Sequence, residues 1–414
     1  MREITEPNPI TPRRLWRDRD FTIFWAAQTL SVVGDSFALI AVPLLILQAT
    51  GSVAQMGLLT GISGAASVLA GILVDRFDRR RLLIACDLIR FALYVLIPLA
   101  WLISPQIWLL YAVLPLAAMV GMVFSVTYVT AVRGLVGDQR VTEANGRLYA
   151  TAAAASVVGP MLAGVVVAAV GHPGAIAINA VSFALSAAGF RFIDITRHSP
   201  APSTPIPREN PRREFLAGAV FLWRHPVLRP LTVLLSFFIF LTLGLTDVII
   251  YRLKHDLSQT DAVVGGVLGA AAVGTMLGAL AVARIRTALG FGPTWISAIA
   301  AAGLAIASLG ITGTVWGVTA AMAAYLACVS VAGISSMSLR QQVTPDHLLG
   351  RVTSAFWTIH FSLGPIGAAA LTWSAQAFTT TPVFIVAGLA CLLIALTALL
   401  TPVRRRTPEK PDTT

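Results

Sequence analysis

Long apolar runs alternate with short polar breaks along the whole chain. Runs near 21–47, 53–74, 82–103, 107–131, 148–170, 174–193, 230–251, 262–283, 292–312, 315–337, 352–376 and 382–402 each hold about the 20 residues that a helix needs to cross a bilayer. The pattern predicts an all-α membrane protein with twelve transmembrane helices. The longest polar break, 194–229, carries Pro200, Pro202, Pro205, Pro207 and Pro211 with Arg208, Arg212 and Arg213, and it divides the spans six and six. Four parts are expected: an N-terminal six-helix half (1–193), a cytoplasmic linker (194–229), a C-terminal six-helix half (230–402) and a cytoplasmic tail (403–414). The end of the linker, Phe215 to Leu228, is partly apolar and includes Trp223, Arg224 and His225, which suits a short amphipathic helix on the membrane surface.

Composition agrees. Of 414 residues, 56% are hydrophobic and only 12% are charged, about half the usual share for a soluble domain. That leaves too little charge to coat a large soluble surface, and the apolar content excludes disorder. The first run is too long for the apolar core of a signal peptide and has no small-residue cleavage site after it, so a retained first span is expected. Cys86, Cys328 and Cys391 lie in apolar runs, with neither disulfide nor metal spacing.

A net charge of +11 would suggest nucleic acid in a soluble protein, but its placement says otherwise. With a cytoplasmic N-terminus, 27 of the 30 Lys and Arg fall on the cytoplasmic side. Only Arg252 and Lys254 fall opposite, and Arg90 lies within a span. Such a bias fixes orientation in the inner or plasma membrane, with both termini cytoplasmic. It also explains the charge without a nucleic-acid partner.

The halves resemble each other at an offset near 205–208. Gly57 and Gly61 match Gly265 and Gly269, Arg133 matches Arg340, Arg147 matches Arg351, and Gly159-Pro160 matches Gly364-Pro365. Parallel six-helix repeats are a transporter architecture in which two halves rock about a central site.

Between the second and third spans stands Gly71-Ile72-Leu73-Val74-Asp75-Arg76-Phe77-Asp78-Arg79-Arg80-Arg81. It resembles the G-x-x-x-D-R-x-G-R-R/K signature of the major facilitator superfamily, with Asp78 in place of the usual Gly. Gly71 permits close helix packing, and Asp75 can pair with an Arg or cap a helix. The resemblance implies a cytoplasmic gate latch of Gly71, Asp75, Arg76 and Arg79; a plain positive-inside stop cluster is the alternative. Gly34-Asp35 with Ala41-Val42-Pro43-Leu44, then Phe221 to Leu228, and Pro345 to Val352 are similar to the efflux branch that holds macrolide and enterobactin exporters. Gly159-Pro160-Met161-Leu162-Ala163-Gly164 resembles the Gly-Pro motif of drug antiporters, with Ala163 where the family prefers Gly. That makes Gly159 and Pro160, with their repeat mates Gly364 and Pro365, either a conformational hinge or an ordinary kink with small-residue packing. The Arg that drug–proton antiporters carry inside the fourth span is absent; Arg133 lies at that span's cytoplasmic end instead.

Charges inside spans cost about 3 kcal/mol or more at mid-membrane, so each asks for a reason. Asp35 is near the middle of the first span, with Gln28 and Ser31 on the same helical face. This polar stripe suits a water-filled cavity, where Asp35 binds the coupled proton or a cationic substrate group, or else a hydrogen bond that stabilises the bundle. Asp87 and Arg90, three residues apart, suit a structural or gating pair near the cytoplasmic end. Asp247, near Arg252 and Lys254, suits a salt bridge of an outer gate. Trp357, His360 and Phe361 could line a drug pocket, as could Tyr128; core packing is the alternative for each.

No phosphate-binding loop, metal cluster or nucleophile elbow is present, so no enzyme and no cofactor is expected, with the proton gradient as the energy source. The reading is a monomeric secondary exporter of an amphipathic small molecule. A siderophore or metabolite exporter, an uptake carrier, a lipid mover and a non-transporting receptor or scaffold are the alternatives.

Overall fold

A computed structural model describes residues 15, 18–70, 78–137, 140–195 and 211–407. Among these residues the secondary structure is helical throughout, with no strand.

Helix α1 (Arg19–Thr50) begins where the Asp18 carboxylate accepts from the Asp20 and Phe21 amides at 3.1 and 3.3 Å, satisfying donors that a helix start leaves open. It ends at Gly51, whose φ of 65° turns its amide back onto the Leu47 carbonyl at 2.8 Å. Helix α2 (Val53–Ala70) returns across the bundle. Helix α3 (Arg79–Trp101) is capped by Asp78, which accepts from the Arg81 amide at 2.9 Å. The residue that departs from the family motif is therefore an N-cap. Helix α4 (Ile107–Val136) follows.

Helix α5 (Val141–Phe190) takes in both the fifth and the sixth predicted spans. Gly171 interrupts it with φ 75° and ψ 172°, a backbone state that favours glycine. Contacts with α1 show that the chain reverses there. Trp25 and Ser36 of α1 meet Thr151 and Gly159 in that order, whereas Ala27 and Gly34 meet Gly189 and then the earlier Asn179 and Ser182. The first arm of α5 runs with α1 and the second runs against it.

Helix α6 (Pro211–Arg224) is the short linker helix, and Gly218 lets it approach the Arg351 backbone closely. The second half then runs through α7 (Leu228–Thr242), α8 (Leu245–Tyr251), a π-turn (Arg252–Asp256), α9 (Asp261–Leu289), α10 (Phe291–Ile311), α11 (Val315–Val343), α12 (Asp346–Ser362), α13 (Gly364–Phe378) and α14 (Thr380–Leu399). A 3-10 turn, Pro402–Arg404, leads into a clamp: the Phe291 and Gly292 amides donate to the Arg406 and Arg405 carbonyls at 2.7 and 3.0 Å.

Nine segments among the described residues are individually long and apolar enough to cross a bilayer, fewer than the twelve separate spans expected. The differences lie at three places. Helix α5 joins two spans, and α2 is described only to Ala70. The eleventh predicted span is divided at Leu363, where Pro365 stands in the first turn of α13 and has no amide to carry the α12 ladder onward.

The halves meet along two matching seams. Helix α2 packs on α13, and the first arm of α5 packs on α9. A methyl group added to Gly61 would stand 2.7 Å from the Pro365 carbonyl oxygen, and Gly265 closes in the same way on Pro160. Gly61 and Gly265 come from matching helices of the two repeats, as do Pro365 and Pro160. Each half offers a glycine-bearing helix to the other half's Gly-Pro helix, so the interface has an approximate two-fold axis.

Candidate functional site

A cavity of about 660 Å³ lies between the halves, within the range of drug-sized ligand sites. Its wall is mainly apolar, from residues such as Ile46, Met56, Leu59, Leu268, Met322 and Leu326. Among the described residues, three charged side chains line it: Asp35, Arg90 and Asp247.

Asp35 stands midway along α1, where the sequence reading expected it to line a cavity. Its partner was not legible. Arg90 Nη2 of α3 donates to Asp35 Oδ1 at 2.8 Å. Arg90 Nη1 lies 3.8 Å from Asp87 Oδ1, and the guanidinium carbon sits 3.8 Å from the centre of the Phe183 ring. One cation thus stands between two carboxylates, over an aromatic face that favours it. Asp35 is 44% exposed towards the cavity, whereas Asp87 is fully buried behind the arginine. Asp87 and Arg90 are close, as their spacing implied, but Arg90 faces the central cavity rather than a cytoplasmic gate.

The rest of the α1 stripe is divided. Ser31 is buried, and Gln28 opens on a separate cavity of about 180 Å³ with Tyr128, Asn145 and Tyr149. Tyr128 is stacked on Phe24, with ring centres 5.4 Å apart, and does not line the larger cavity.

Asp247 and Arg252 do not form the expected bridge. The Thr60 hydroxyl of α2 donates to Asp247 Oδ2 at 2.9 Å, so this bond crosses between the halves at the cavity wall. Arg252 turns away. It donates to Thr380 Oγ1 and to the Thr312 carbonyl, both at 2.8 Å, and lies 3.8 Å from Asp256. All of these partners belong to the second half. A different charged cluster ties the halves. Lys254 Nζ donates to Asp261 Oδ1 at 2.7 Å, while His172 Nε2 of the α5 turn lies 3.1 Å from Asp261 Oδ2. The signal available in the sequence was an acid in the first turn of the eighth span, seven residues after Lys254.

Trp357, His360 and Phe361 pack together on α12 and are not among the residues that line the central cavity. His360 stacks on Phe356, and the Arg340 guanidinium lies 3.5 Å from the centre of that Phe356 ring. The same guanidinium, which is buried, lies 5.7 Å from the Trp357 ring centre, and Trp357 is itself exposed. Gly159 of α5 packs on Ser36, and Pro160 lines the cavity within a helix that continues through it. Gly364 and Pro365 start α13, at the break after α12. Arg79 is exposed at the start of α3. Gly71, Asp75 and Arg76 lie outside the described residues.

Among the described residues, several ties between the halves lie at one end. Ser52 Oγ donates to Gln376 Oε1 at 2.6 Å, the Ala54 amide reaches the same oxygen at 3.1 Å, and the Asp261 cluster lies beside Gly164. This end is opposite the one where Arg79 to Arg81 start α3.

Comparison with known proteins agrees with this architecture. The sequence model of the Major Facilitator Superfamily matches residues 24–368. The enterobactin exporter EntS of Escherichia coli O6:K15:H31 is 27% identical over 405 residues, which cover 93% of this chain and 92% of that protein. The EntS of Salmonella typhi is 27% identical over 395 residues, 92% and 91% of the two chains. Among solved structures, the nucleoside transporter NupG superposes with a TM-score of 0.76 at 12% identity, covering 92% of this chain and 98% of its own. A bacterial homologue of the iron transporter ferroportin, in its inward-facing state, gives a TM-score of 0.69 at 17% identity, with 92% and 98% covered. With a family match over most of its length and two halves that repeat one fold about a central cavity, the chain belongs to the Major Facilitator Superfamily.

Proposed function

We propose that this multi-pass membrane transporter exports an amphipathic small molecule in exchange for protons. The observation that carries the reading is the central cavity, with Asp35 and Arg90 paired at 2.8 Å in an otherwise mainly apolar wall. Such a cavity holds an apolar body, and its charged pair gives a proton and a substrate something to compete for.

The chain's own groups suggest how exchange proceeds. A proton arriving on Asp35 removes that carboxylate as a partner of Arg90. The guanidinium then swings towards Asp87, which already lies 3.8 Å away. Loss of the proton restores the Asp35 contact. The ties at Gln376 and Asp261 close one end of the bundle, and the seams at Gly61 and Gly265 are where the halves would rock. Arginine placement supports an arginine-rich end in the cytoplasm, with both termini there, so the Gln376 end faces outward. The membrane is the inner or plasma membrane. The transporter works as a monomer, with no cofactor.

A second reading, export of a siderophore, is favoured by the relatives named as enterobactin exporters.

The test is transport in vesicles of purified protein with an imposed pH gradient and a panel of amphipathic compounds and siderophores. Wild type is expected to move at least one compound against the proton flow. Asp35→Asn, with Arg90 intact, is expected to keep binding but lose gradient-driven accumulation by at least tenfold. Equal accumulation by that variant would remove Asp35 from the coupling role.

A further inference from the structure

The three charges in the cavity are not equivalent. Asp35 and Arg90 neutralise each other at 2.8 Å. Asp247 has no such partner. Among the described residues no Lys, Arg or His lies within 4 Å of its carboxylate, and its bond is to the neutral Thr60 hydroxyl at 2.9 Å. Yet Asp247 is 4% exposed and shares the mainly apolar cavity wall with residues such as Leu243 and Leu268. A buried carboxylate with one hydroxyl for company favours any cation that can reach it, because water no longer screens it.

Position adds to this. Arg252, the cation nearest in sequence on the same side, spends its donors on Thr380, Thr381 and the Gly310 and Thr312 carbonyls. Lys254 is held by Asp261. The cations that follow Asp247 in sequence are thus held by other partners, while Asp247 lines the cavity.

We infer that the substrate class selected by this cavity is an amphipathic cation, a protonated amine on an apolar body, with the ammonium held by Asp247. This rests on the export reading but concerns recognition rather than energy coupling. The apolar wall takes the body, Asp247 takes the charge, and the Asp35–Arg90 pair adds no net charge of its own. An anionic substrate would instead face an unpaired carboxylate in an apolar wall. Asp247 is on α8 and Thr60 on α2, so a cation drawn to this carboxylate also sits at the contact between the two halves.

The test uses one fluorophore in three charge states: dansylcadaverine, its neutral N-acetyl derivative and the anionic dansyl-6-aminohexanoate. Equilibrium binding to the full-length protein in detergent is followed by fluorescence, with no proton gradient present. Failure of proton coupling therefore leaves this measurement intact, and the two proposals fail separately. Wild type is expected to bind the amine at least tenfold more tightly than the acetylated compound, and the anion least. Asp247→Asn is expected to cut that preference to below threefold while binding the acetylated compound as wild type does, which also shows that it is folded. Asp247→Glu is expected to keep the preference. The inference is overturned if wild type fails to bind the amine, if it binds the neutral or anionic compound as tightly, or if Asp247→Asn retains the full preference.

Discussion

The two halves repeat one fold and fill it differently. At the repeat offset, Asp35, Asp87 and Arg90 of the first half correspond to Thr242, Thr294 and Ser297 of the second. The first set brings charge to the central cavity. The second keeps to itself: the Thr242 and Thr294 hydroxyls donate to carbonyls of their own chain neighbourhood, Phe238 at 2.8 Å and Gly290 at 2.6 Å. The second half has buried arginines too, but Arg252 is held by threonines and carbonyls and Arg340 by the Phe356 ring. Backbone symmetry therefore coexists with electrostatic asymmetry. On the proposed exchange, the groups that change partners lie in one half, and the other brings one carboxylate, Asp247, to the cavity wall.

The sharpest way to break this comparison is to remove one arginine from each half. Arg90→Gln strands Asp87 in the interior and is expected to lower stability by about 3 kcal/mol or more and transport by at least 100-fold. Arg252→Gln loses charged hydrogen bonds and is expected to cost about 2 kcal/mol, while the proton dependence of transport stays as in wild type. Thermal unfolding in detergent and transport across a series of imposed pH gradients measure both. If Arg252→Gln altered the proton dependence and Arg90→Gln did not, the division of labour would be reversed.

The next effect concerns what the halves share. Gly61→Val and Gly265→Val each place a branched side chain where the opposite helix approaches, and both are expected to open the seam and slow transport about tenfold. Spin-label distances between the halves, read at the Gln376 end, should lengthen in both variants. Closely matched shifts support the two-fold seam. A shift in one variant only would show that the seams are unequal.

The smallest effect is expected at Lys254→Gln. Lys254 is 30% exposed in its pair with Asp261, and such partly solvated pairs are worth about 1 kcal/mol or less. Transport should change by no more than about threefold.

Hydropathy showed where helices lie because burial in lipid constrains nearly every residue of a span. It showed Asp35 for the same reason, since a carboxylate there is costly. It could not show that Arg90, 55 positions away, reaches it, because that depends on how α3 is rotated against α1. Asp247 was misassigned for a related reason. Its sequence neighbour Arg252 is directed elsewhere by the π-turn and by Thr380, while its actual partner, Thr60, lies in the other half. The aromatic run on α12 suited either a pocket or packing; Arg340 from the preceding helix lies over the Phe356 ring, a contact that sequence spacing does not reveal, while Trp357 stays exposed. The repeat was readable and reached further than expected, since the matching Gly and Pro positions touch each other across the interface.

The clamp at the start of α10 has a consequence for how the protein is made. The Phe291 and Gly292 amides find their acceptors on Arg406 and Arg405, more than a hundred residues later in the chain. A ribosome works from one end, so α10 enters the membrane with that contact unmade and stays so until α14 has followed. The hairpin of α5 has no such wait, because α1 is already present when each arm appears. The first half can assemble during translation, whereas the second is tied off only when residues 405 and 406 emerge. A premature stop just before them would leave every span in place and still remove the knot.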